Sequence, residues 1–99
     1  AGQPVDVAVS GIAADSLGAR RIGDICWEVT QRHVRDSLVL PDDAIRDAQR
    51  WLWKEMKLLV EPAAALGLAA LQTGAYTTRP GERVAMILCG ANVDPASVG

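Results

Sequence analysis

Phenylalanine is missing from these 99 residues, and tyrosine and histidine occur once each. One imidazole, His33, and two widely separated thiols, Cys26 and Cys89, do not make a zinc-type ligand set, so no metal site is expected. Two cysteines could form one bridge but not a disulfide framework, which points to a reducing, cytoplasmic home. Charge of one sign is lacking too. Ten basic against twelve acidic residues give a net charge of −2 without any block of like charge, which argues against a nucleic-acid surface. No apolar stretch approaches the ~20 residues of a membrane span, and no signal-peptide pattern opens the chain. The motifs G-x-S-x-G, G-x-x-x-x-G-K-[ST] and G-x-G-x-x-G are absent, which removes the commonest signatures of serine hydrolysis and of nucleotide binding. The chain opens at Ala1 rather than Met, as either a trimmed protein or a piece of a longer one would.

What is present is enough for one modest folded unit. Nearly half the residues are apolar (49%) and 22% are charged, a composition of globular rather than disordered chains. Val5, Val7 and Val9 alternate as in an extended segment. Ile22, Ile25, Cys26 and Val29 share one helical face, with Ser16 as a possible cap and His33 just past the end. Ser37–Leu40 reads as a short buried strand ended by Pro41. From Asp42 to Val60 the positions Ile45, Ala48, Leu52, Met56 and Leu59 form a helical seam, with Asp42 and Asp43 facing the positive end of the dipole. Trp51, Trp53 and Leu58 widen that seam and suggest cover on more than one side. Glu61-Pro62 begins a second helix, because proline fits the first helical position, and Gly74 suits its C-terminus. Val84–Leu88 is a continuous apolar run of strand length, and Asp94-Pro95 another helix start. Helices alternating with short apolar strands indicate an α/β arrangement with parallel pairing. So few strands make a poor sheet by themselves, and the chain reads as the end of a larger one.

The stretch Leu88-Cys89-Gly90-Ala91-Asn92 is the most suggestive. A strand running into a glycine-containing turn is where open α/β sheets place ligands. There Gly90 would admit a close approach and Cys89 would present a thiol. The ordinary alternative is a small buried side chain before a turn. Glu61 is either a carboxylate aimed at a ligand or a simple helix N-terminal acid. Lys54 and Lys57, the only lysines, read as solvated charges, as does the Arg20-Arg21 pair.

Three runs occur together in order: Gly11-Ile12-Ala13-Ala14-Asp15-Ser16-Leu17-Gly18-Ala19-Arg20-Arg21-Ile22-Gly23, Trp51-Leu52-Trp53-Lys54-Glu55-Met56-Lys57-Leu58-Leu59-Val60-Glu61-Pro62-Ala63, and Leu88-Cys89-Gly90-Ala91-Asn92-Val93-Asp94. Together they resemble the carboxyl-terminal third of the threonine/serine dehydratases, relatives of serine racemase within the tryptophan-synthase-β-like class of pyridoxal-phosphate enzymes. The resemblance covers nearly the whole chain. It implies that residues 1–99 are a single C-terminal segment of the large domain, a fragment of a three-layer α/β domain with few parallel strands and three or more helices. It implies a cofactor, pyridoxal phosphate, and β-elimination from L-threonine or L-serine to give a 2-oxo acid and ammonia. On the same resemblance Cys89 contacts the pyridine nitrogen, Gly18 lies close to the ring, Glu61 lies near the pocket, and Gly90 and Asn92 shape the turn after Cys89.

A neutral thiol there would leave the ring a weaker electron sink than a carboxylate would, which suits loss of a β-hydroxyl. The family's Schiff-base lysine and phosphate-binding glycine loop lie upstream of the matched region, and neither Lys54 nor Lys57 matches that lysine. Pro41 stands where relatives commonly carry a helix-capping Ser or Thr. The implied partners are the remainder of the same enzyme chain, an amino-acid substrate and further copies in a homo-oligomer, with no nucleic acid and no membrane. Alone, the segment should not catalyse. The rival expectations are a segment of a serine racemase and a stand-alone α/β module that binds a ligand or partner.

Overall fold

The computed structural model describes residues 2–8, 10–11, 19–90 and 93–98. Among them three α-helices follow one another: α1 (Asp24–His33), α2 (Asp42–Met56) and α3 (Pro62–Gln72), with a short 3₁₀ turn at Pro95–Ser97.

Among the described residues the core is the meeting of two helices, α2 and α3. Ile45, Ala48 and Leu52 of α2 pack with Ala64, Ala65 and Ala69 of α3 and with Val60 between them, and all are buried. Alanine dominates the contact because Ala48, Ala65 and Ala69 leave no side chain beyond Cβ to hold the helices apart; each has no exposed surface. Ile45 and Leu52 supply the larger apolar burial, worth about 1.5–3 kcal/mol each. The seam read from the sequence is therefore buried at Ile45, Ala48 and Leu52. It does not continue to Met56, which is 53% exposed.

Helix α2 stops at Met56 rather than running to Val60. Lys57 takes a left-handed conformation (φ 58°), and the Leu58 N–H reaches back to the Leu52 carbonyl at 3.1 Å while the Lys57 N–H holds Trp53. The left-handed residue with its N–H bonded four residues back is an αL-type ending, and it frees residues 58–60 to turn toward α3. Pro62 then occupies the first position of α3, with Glu61 as its N-cap. At the far end Thr73 closes the helix and Gly74 follows at φ +77°, as its sequence position anticipates.

Helix α1 starts after Gly23, so Ile22 lies outside it and His33 is its last residue rather than just beyond it. Asp24 at its start and Arg32 and His33 at its end suit the helix dipole, and Glu28 pairs with Arg32 one turn on. None of its residues is buried. Ser16, the cap expected from the sequence, and Val9 lie outside the described residues.

The expected parallel strands are not formed among the described residues. Neither 37–40 nor 84–88 pairs into a ladder. A strand needs a neighbouring backbone to satisfy its N–H and C=O groups, and among the described residues neither run makes ladder hydrogen bonds. Val39 is 95% and Ile87 86% exposed, against the expectation that both runs are covered. Near the start a single bond, Val7 N–H to the Arg20 carbonyl at 2.8 Å, and the Arg21–Asp6 ion pair at 2.7 Å join the opening segment to residues 20–21.

Candidate functional site

The turn between α2 and α3 is where the candidate residues gather. The Glu61 N–H donates to the Cys89 carbonyl at 3.0 Å. This bond fastens the end of the apolar run 84–88 to the N-terminus of α3. Gly90 comes next, backed against Leu59. A Cβ built on Gly90 would collide with the Leu59 carbonyl oxygen and lie 3.3 Å from both its carbon and the Val60 Cα. The absence of a side chain at Gly90 is thus explained by a close backbone crossing. The Gly90 carbonyl in turn accepts from the Val93 N–H at 3.2 Å, which folds the chain toward the 3₁₀ turn. There the Asp94 carboxylate caps the Ala96 N–H at 3.0 Å.

Three of the five residues singled out in the sequence, Cys89, Gly90 and Glu61, are therefore brought together. Gly18 and Asn92 lie outside the described residues. The Cys89 thiol is free and exposed, as is Cys26, so the two form no bridge. Glu61 is half-buried. Glu61 stands at the N-terminus of α3, as a simple helix N-terminal acid would, and its carboxylate makes no capping hydrogen bond to the helix.

One participant escaped the sequence reading. Gln49, on α2, is 3% exposed, and its Nε2 donates to the Val60 carbonyl at 3.0 Å. The sign of it was available: Gln49 stands four residues after Ile45 and three before Leu52, a polar side chain at buried spacing.

The lysines occupy the end of α2, where the Lys57 Nζ donates to the Lys54 carbonyl at 2.7 Å and both side chains are exposed. Arg20, Arg21 and His33 are exposed as well. Trp51 and Trp53 are 43% and 48% exposed, so the expected cover of α2 on more than one side is not seen at these residues. A separate open cavity of about 430 Å³ lies between α1 and residues 34–37, lined by Trp27, Thr30, Val34 and Arg35 among others; none of Cys89, Gly90 and Glu61 borders it. Among the described residues no cluster of three or more His, Cys, Asp or Glu side chains could hold a metal ion. No helix among them is long and apolar enough to cross a membrane.

The chain belongs to the family of pyridoxal-phosphate dependent enzymes, an α/β family, which its residues 1–90 match. It is 38% identical over 96 residues to phenylserine dehydratase of Ralstonia pickettii, covering 97% of this chain and 29% of that protein. It is 37% identical over 95 residues to a biosynthetic L-threonine dehydratase of Escherichia coli, covering 95% of this chain and 18% of the relative. A serine racemase of Arabidopsis thaliana shares 32% over 102 residues, with 99% and 30% covered. The chain thus spans less than a third of each of these relatives. Dehydratases and a racemase together mark a lyase and racemase family whose cofactor is pyridoxal phosphate.

The chemistry of the donor set is compatible with that cofactor: Cys89 offers an exposed thiol that hydrogen-bonds weakly, and Glu61 a carboxylate that makes no capping bond to α3.

Proposed function

We propose that residues 1–99 are the carboxyl-terminal part of the large domain of a pyridoxal-phosphate-dependent dehydratase. Its reaction would be the deamination of L-threonine or L-serine to a 2-oxo acid and ammonia by β-elimination. The observation that supports this reading is the 3.0 Å main-chain bond from the Glu61 N–H to the Cys89 carbonyl, which brings the backbones of these two candidate residues together. The names of the relatives at 38% and 37% identity, phenylserine dehydratase and L-threonine dehydratase, favour a β-hydroxy amino acid as substrate.

Pyridoxal phosphate, when bound, supplies the electron sink that lets the Cα–H bond break and the β-hydroxyl leave. The chain's own contributions are positional and electronic. On the family resemblance the Cys89 thiol would face the ring nitrogen, a weaker hydrogen-bonding partner than a carboxylate. Glu61 would lie near the pocket as a hydrogen-bond acceptor. Gly18 would leave room beside the ring, and Gly90 and Asn92 would shape the turn after Cys89. The covalent lysine and the phosphate cradle come from the rest of the enzyme chain. The assembly is a homo-oligomer in the cytoplasm, and the 99-residue segment by itself is inactive.

The test uses the natural polypeptide that carries these residues, loaded with pyridoxal phosphate. Release of 2-oxo acid and ammonia from L-threonine or L-serine is expected. Cys89→Ala should lower turnover about tenfold, the loss of one hydrogen bond in the site, and shift the cofactor absorbance. Cys89→Asp should suppress elimination further. If neither amino acid is deaminated, or if a native product of only this length stays inert under every reconstitution, the reading fails. The serine racemase relative, matched over 99% of this chain, supports a second reading; D-serine formed from L-serine in the same assay would favour it.

A further inference from the structure

We infer that Gln49 is a positioning residue for the Cys89–Glu61 pair, acting from α2 through the backbone of the α2–α3 turn. The inference rests on the reading of that pair as cofactor contacts.

Gln49 is buried on a helix that otherwise presents Ile45, Ala48 and Leu52 to the core. A buried amide among such neighbours is costly unless it is paired, and its partner is specific: the Val60 carbonyl, at 3.0 Å. That carbonyl precedes the first turn of α3 and has no place in the helix's own ladder. Val60 is itself buried, at 4% exposure. Its two neighbours are the residues that meet the far segment. Glu61 donates its N–H to the Cys89 carbonyl, and the Leu59 carbonyl faces Gly90 so closely that no Cβ would fit.

The peptide units on either side of Val60 are planar and stiff, so fixing the Val60 carbonyl fixes the direction of the Glu61 N–H. The left-handed Lys57 supplies the reversal of direction after α2. Within the turn that follows, Gln49 is the side chain from α2 seen to grip the backbone. Loss of its donor leaves the Val60 carbonyl buried without that partner, and the turn gains freedom to rotate. Cys89 and Glu61 then lose their fixed relation.

The experiment compares the unaltered full-length enzyme, loaded with pyridoxal phosphate, with Gln49→Met, which keeps length and volume but cannot donate. Amide hydrogen exchange is read at Glu61 and, as a control, at Ala48 and Leu52 in α2. The expected result is that Glu61 exchanges at least about tenfold faster in the variant while the α2 amides hold their protection. Cofactor affinity should fall with the KM for the amino acid unchanged. Glu61 exchange that is unchanged, or that rises only in step with α2, overturns the inference. Should Gln49→Met fail to fold, Gln49→Leu likewise lacks the donor in an apolar side chain of similar volume, and the same readout applies. Fast Glu61 exchange in the unaltered enzyme would overturn the inference without any variant. The two readings separate cleanly. If Cys89→Ala leaves the cofactor spectrum unmoved while Gln49→Met frees the Glu61 amide, the cofactor site is misassigned and the bracing by Gln49 stands.

Discussion

Glu82 holds a short loop by several bonds at once. Its carboxylate accepts from the Tyr76 hydroxyl and, at 2.9 Å, from the Arg79 N–H, while its own N–H donates to the Arg79 carbonyl at 3.0 Å. The Tyr76 hydroxyl bond, with the Arg79 N–H second, pulls the Glu82 pKa below its ordinary value. The same bond to Glu82 raises the Tyr76 pKa. A depressed carboxylate contributes stability above its unfolded-state pKa and loses it as pH falls through the folded-state value. A raised phenol contributes below its unfolded-state pKa and loses it as pH rises through the folded-state value. The clasp is therefore complete across the neutral range and opens at both extremes. Both groups are exposed, so solvent screens the effect and it is local. In Tyr76→Phe the Glu82 carboxyl should titrate at higher pH, measured by its side-chain carbonyl NMR shift; an unmoved titration would show that the hydroxyl is not the main cause.

Helix α2 and its ending set the geometry of the candidate site more than any single side chain. The α2–α3 contact is built from alanines on one helix face against Ile45, Ala48 and Leu52 on the other, and the turn from residue 57 to 61 is short enough to transmit that packing to Glu61. Lys57 is the one described non-glycine residue with positive φ. An L-residue in that region carries a steric cost of about 1–2 kcal/mol, partly offset on replacement by the extra freedom glycine has when unfolded. Lys57→Gly should thus stabilise the protein by about 0.5–1 kcal/mol, seen as a higher urea midpoint at unchanged slope. A lower midpoint would mean that the Lys57 ammonium, bonded to the Lys54 carbonyl, contributes more than its exposed position implies.

Taken as a whole, the chain is looser than a self-sufficient domain of its mass. It exposes 7541 Å², where a compact monomer exposes about 5,400 Å². Its radius of gyration is 14.6 Å, against about 13 Å for a compact domain of this length. Ile25 and Val29 on α1, Trp51 and Trp53 on α2, and Val39 and Ile87 on the apolar runs stand open to solvent. Surfaces of this kind seek cover. The isolated 99 residues should sediment as dimers or larger species at micromolar concentration and bind an apolar dye. A monodisperse monomer that binds no dye would favour the stand-alone module over a segment of a larger enzyme.

Local chemistry wrote α2 and α3 into the sequence. Asp42 and Asp43 at one helix start, the spacing of Ile45, Ala48 and Leu52, the Glu61-Pro62 pair and Gly74 act within a turn or two of themselves, so each could be read without knowing what lies opposite. The stop at Met56 was not legible, because it depends on Lys57 adopting a conformation its side chain does not favour. The runs 37–40 and 84–88 have the composition of strands, but a strand exists only when another backbone pairs with it. Cys89 and Glu61 could be named as candidates one by one. That they meet was decided by tertiary structure alone, since the bond joining them is between main-chain atoms that every residue but proline carries alike. Gln49 shows the same division: its buried spacing is a property of the sequence, while its partner, a carbonyl in the next turn, is set only when α2 and α3 pack.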